Sequence, residues 1–131
     1  MRHEDLFKDE RAIIERALET LQRVAAQIEA GEPLPADAAA TVALLNDTEE
    51  AEYDASQNYE DRPVLTVCVA EHEAARVLLR KLRLALEARE RGDTAAASVF
   101  VQNARDYVQL RREHMQRDDK LFVRVSGGAR T

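Results

Sequence analysis

One of the chain's three histidines, His114, sits in the stretch REHMQRDDKLF, one helical turn ahead of Asp118. A histidine followed at i+4 by a carboxylate places an imidazole and an acid on one helical face, with Asp119 a step further round. Such a pair can hold a metal ion. The chain offers partners for it. His72 stands in AEHEAAR, TEEAEYD supplies Glu49, Glu50 and Tyr53, and Glu10 lies near the N-terminus. Two imidazoles among carboxylates and a phenol form an oxygen-rich donor set, which suits iron or manganese better than copper or a structural zinc site. The sequence contains no cysteine-rich metal motif, phosphate-binding loop or Ser-His-Asp pattern, so hydrolysis and nucleotide binding have little footing.

These groups meet only if the elements carrying them bring them together. GEPLPAD, NYEDRP and RGDT break the chain into four segments of helical periodicity, expected over about 3–30, 38–56, 63–91 and 94–125. The first has Ile14, Leu18, Leu21, Ala25 and Ile28 on one stripe, with Gly31 as its stop. The second begins Ala38, Val42, Leu45, with Asp37 as its cap, and then turns polar. The third opens at Pro63 and carries Leu65, His72, Ala75, Leu79, Leu82 and Leu86. The fourth carries Phe100, Ala104, Tyr107, Val108, Met115, Leu121 and Phe122. No strand alternation interrupts the pattern. Four such helices with short connections predict an all-α, antiparallel up-down-up-down four-helix bundle, formed by residues 1–131 as a single domain.

The polar residues on these stripes are the informative ones. His72 lies on the third stripe with Arg76 one turn on. His114 and Asp118 share a row with Tyr107, Arg111 and Leu121. Continuing Val42 and Leu45 gives Glu49, then Glu52 or Tyr53. Going back from Ile14 gives Glu10 or Arg11. An up-down bundle puts all four polar ends at the same end. Unpaired charge in a core costs several kcal/mol, so four coincident clusters point to metal ligation or to a mutually satisfied ion network.

Bulk properties narrow the partners. A net charge of −6 and a pI near 5.1 argue against nucleic acid or an anionic membrane as the main partner. The apolar run VLTVCVA is far too short to span a bilayer. The lone Cys68 reads as a small buried residue and suits a reducing, cytoplasmic setting. His3 reads as a surface residue. No surface patch in the sequence argues for or against a homodimer or a protein partner.

AEHEAARVLLRKLRLALE resembles the third helix of the hemerythrin-like (HHE cation-binding) family, in which the ligand histidine follows Ala-Glu. YVQLRREHMQRDDKLF is similar to that family's fourth helix, a histidine followed by an acidic pair and then Leu-Phe. KDERAIIERALETL resembles its first helix. The resemblance covers nearly the whole chain. It implies a four-helix bundle around a non-haem di-iron site that binds, senses or reacts with dioxygen, peroxide or nitric oxide. The chain departs from the family pattern in three places. Arg11 stands where the first helix supplies histidine. Glu49 and Tyr53 fall in the second helix's histidine and glutamate slots. Arg76 replaces a second histidine found in some members.

Two expectations follow. In the first, His72 and His114 supply nitrogen to one or two iron or manganese ions. Asp118, Asp119, Glu49 and Glu50 supply carboxylates, Glu10 and Tyr53 are weaker ligands, and dioxygen or another small redox molecule is the partner. No organic substrate is indicated, so enzymatic turnover is left open. In the second, the bundle is metal-free and serves as an interaction or regulatory module. Its site is then replaced by an Arg–carboxylate network, with Arg11 and Arg76 as the cations, since a guanidinium donates hydrogen bonds and does not ligate metal.

Overall fold

A computed structural model describes the backbone of residues 3–56 and 63–128 and the side chains of residues 11–52 and 70–116. The chain forms four helices, α1 (His3–Glu29), α2 (Ala38–Ser56), α3 (Pro63–Glu90) and α4 (Ala96–Gly128). No strand occurs among the described residues. The periodic stripes therefore became helices close to the expected bounds.

Two of the helix ends follow directly from residue chemistry. α1 closes with Gly31 N–H donating to the Ile28 carbonyl and Glu32 N–H to the Gln27 carbonyl, both at 3.0 Å. α3 repeats the arrangement, with Gly92 N–H on Arg89 and Asp93 N–H on Ala88, again at 3.0 Å. Both glycines hold a left-handed backbone, at φ 82° and 90°, where a Cβ would be strained. Asp93 then starts the next helix, its Oδ1 accepting the Ala95 N–H at 3.0 Å. Asp37, expected as a side-chain cap of α2, instead accepts the Thr41 N–H through its backbone carbonyl at 2.9 Å, while its carboxylate pairs with Arg23 of α1.

The four helices form a ring, α1 packing on α2 and α4, and α3 on α2 and α4. Leu18, Leu21 and Val24 of α1, Leu45 of α2, Leu79 and Leu82 of α3, and Phe100 and Ala104 of α4 fill the centre. Each large aliphatic buried there contributes about 1.5–3 kcal/mol, offset by the entropy of ordering the chain. The apolar filling stops at one level. Beyond Leu45 on α2 the next inward residue is Glu49, beyond Ala75 on α3 it is His72, and beyond Val108 on α4 it is Arg111.

Candidate metal centre

Glu49, His72, Arg111 and His114 are all buried, and so is Tyr107 beside them. Helical spacing explains the convergence. Glu49 continues the Val42–Leu45 stripe by one turn, His72 precedes Ala75 and Leu79, and Arg111 and His114 follow Tyr107 at three- and four-residue steps.

Glu49 is the hub. Its Oε2 accepts from His72 Nδ1 at 2.7 Å. Its Oε1 accepts from the Tyr107 hydroxyl at 2.9 Å and from Arg111 Nη1 at 2.9 Å. Burial alone would push this carboxyl up. The His72 hydrogen bond, the Arg111 and His72 charges and the Tyr107 hydroxyl outweigh burial and hold it below its usual value. The Tyr107 phenol is pushed well above its ordinary range by burial and then by the Glu49 charge. Burial would lower the Arg111 guanidinium, but its bonds to Glu52 and the charges of Glu52 and Glu49 raise it further.

Arg111 grips Glu52 with both terminal nitrogens, Nη1 to Oε2 at 2.8 Å and Nη2 to Oε1 at 2.9 Å. Its Nη1 thus touches two carboxylates at once. Its Nε is buried with no hydrogen-bond partner. One guanidinium shared by two glutamates leaves the pair with net negative charge.

The histidines complete the cluster. Their ring centroids are 5.4 Å apart and tilted by 59°. His72 Nε2 lies 4.0 Å from Glu52 Oε2. His114 Nδ1 bonds to Glu71 on α3. An ionised carboxylate can only accept, so both Nδ1 atoms carry protons, and in the neutral rings Nε2 carries the lone pair that ligates. A ring nitrogen of each histidine and an oxygen of Glu52 lie within 4.8 Å of one another. Bonds of about 2.1 Å hold ligand atoms at most about 4.2 Å apart, so at its widest this triangle must tighten by about half an ångström to close on an ion. A metal-bound histidine usually donates its other nitrogen to a carboxylate, which fixes the ring and raises its basicity. Glu49 and Glu71 do this for His72 and His114 respectively. The donor set therefore fits one divalent ion held by two imidazoles and one carboxylate.

The residues singled out in the sequence divide three ways. His72, His114 and Glu49 come together. Glu50 points away, its carboxylate 3.0 Å from Arg76 Nε on a partly exposed surface. Glu10, Tyr53, Asp118 and Asp119 lie outside the described side chains, as do His3 and Cys68. Arg76, a core cation only in the metal-free expectation, is 39% exposed and bonds Glu50 and Glu73. Arg11 is only partly buried. Among the described residues the buried guanidinium is that of Arg111, a member of the His114 row whose role the sequence did not reveal. Glu52 appeared in the sequence only as an alternative to Tyr53. Glu71 was not singled out, although its place directly before His72 puts a carboxylate on the flank facing α4.

No family model, curated protein or solved structure matches the chain.

Proposed function

We propose that the chain is a metal-binding bundle of hemerythrin-like type. It holds one first-row divalent ion, iron foremost and manganese next, through His72, His114 and Glu52. The carrying observation is the cluster of those three ligand atoms with each histidine backed at Nδ1 by its own carboxylate. Two imidazoles and a carboxylate with open positions are the donor set of non-haem iron(II) centres. Bound iron would supply redox chemistry toward dioxygen or a reactive oxygen or nitrogen species. The protein's part is to orient His72 through Glu49, to keep Glu52 in place through Arg111, and to surround the site with buried side chains. The antiparallel up-down order belongs to the same reading. Glu29–Arg105 at 2.7 Å and Gln22–Arg112 at 3.2 Å support it for α1 and α4, since the α4 number rises as the α1 number falls. We read the protein as cytoplasmic; among the described residues no helix is long and apolar enough to cross a membrane.

The test is metal content. After loading with iron(II) or manganese(II) and desalting, elemental analysis is expected to find about one ion per chain, bound with proton release as ligands deprotonate. His114→Ala is expected to lose most of it while the chain remains helical by circular dichroism. Trace metal in the loaded parent would end the proposal, and unchanged metal in the variant would remove His114 from the ligand set.

A second reading has its own observation. The Arg111 fork on Glu52 and the three donors on Glu49 already form an ion network that pairs both carboxylates. In this reading the bundle is a metal-free interaction or regulatory module, and loading leaves its composition and melting temperature unchanged.

A further inference from the structure

The guanidinium of Arg111 lies where its Nη1 is shared between Glu49 Oε1 and Glu52 Oε2, at 2.9 and 2.8 Å. A cation bridging two carboxylates in a bundle core is the arrangement by which a second metal ion shares ligands with a first. Here a side chain occupies it. Arg111 is 3% exposed. Its chain brings charge to this point while Nε is left buried without a partner. An unsatisfied buried donor is costly, so the position is not explained by hydrogen bonding alone. What Arg111 supplies is a fixed positive charge between two carboxylates that otherwise repel.

We propose that Arg111 is a built-in cation that fills the second metal position and restricts the centre to one ion. The inference rests on the metal-binding reading and adds what sets the number of ions. Glu52 is its pivot. Oε2 faces both Arg111 and His72 Nε2, so this one carboxylate lies between the guanidinium and the imidazole that would hold the ion. Glu49, which accepts from Arg111, Tyr107 and His72, is committed to those donors for as long as Arg111 is present. Removing the guanidinium frees acceptor sites on both glutamates and leaves one buried and one part-buried carboxylate for a second ion to neutralise.

Arg111→Met keeps an unbranched chain and deletes the charge. With manganese(II), the parent is expected to saturate at one ion per chain with the electron paramagnetic resonance spectrum of isolated manganese. The methionine variant is expected to saturate at two, with a spin-coupled pair spectrum. Without metal it is expected to melt below the parent and to regain the loss on manganese addition. Arg111→Lys, which keeps the charge, is expected to stay at one ion. A folded methionine variant that still takes one ion overturns the inference and leaves the metal reading standing. So does a methionine variant that folds neither with nor without manganese, because a metal then cannot replace the guanidinium. Two coupled ions in the parent likewise overturn it. A parent that takes no ion overturns the metal reading itself, and this inference with it.

Discussion

Glu49 carries a buried negative charge that three donors from two other helices stabilise. Its carboxyl is held below its usual value of 4.5. A group depressed in the folded state stabilises the fold above its unfolded value and loses that contribution as pH falls through the folded one. Chelator-treated protein should therefore lose stability as pH drops below about 4.5, because the unfolded chain takes up the Glu49 proton first. Glu49→Gln should flatten that acid limb in urea titrations read at several pH values; an unchanged slope would assign the acid sensitivity elsewhere. Glu71 does a different job, orienting His114. Glu71→Gln should weaken metal affinity by about 10–100-fold without removing a ligand, measured by competition with a chelating dye. Affinity equal to the parent's would show that His114 needs no such partner.

At the scale of the elements, most of the architecture was readable beforehand. Ile14, Leu18, Leu21, Ala25 and Ile28 are all buried in α1, together with Ala17 and Val24, and Gly31 ends that helix as expected. The two glycine stops carry a testable cost. Gly92 has φ 90° and open space around the position of a Cβ, so Gly92→Ala pays only for its backbone. A loss of about 1–2 kcal/mol in denaturant unfolding is expected, with the helices otherwise kept. A neutral result would mean that the backbone relaxes to a right-handed turn. The site was less legible than the helices, for a geometric reason. Periodicity fixes where a Cβ points to within about a residue, and it located Glu49, His72 and His114. It does not fix where a long side chain ends. Arg76 lies a turn from His72 yet reaches outward to Glu50 and Glu73, whereas Arg111 turns inward to Glu49 and Glu52. A guanidinium on a flexible stem goes where its carboxylates are, and three of these four, Glu49, Glu50 and Glu52, lie on another helix, α2.

Across the whole molecule, two fillings share one bundle. One stretch is aliphatic, with few aromatic side chains, since only 5% of the chain is aromatic. The other is a polar layer in which Glu49 and Glu52 of α2, Glu71 and His72 of α3, and Tyr107, Arg111 and His114 of α4 bond across the axis. Aliphatic packing tolerates sliding, because one leucine fills a gap nearly as well as the next. The polar layer does not. Move α4 by one turn, about 5.4 Å, and Arg111 leaves its two glutamates while Tyr107 and His114 lose their carboxylates together. Each stranded group would then be a buried charge or dipole without a partner. The layer that gathers the chemistry thus also acts as the bundle's index mark, admitting one axial alignment of its helices and penalising those a turn away.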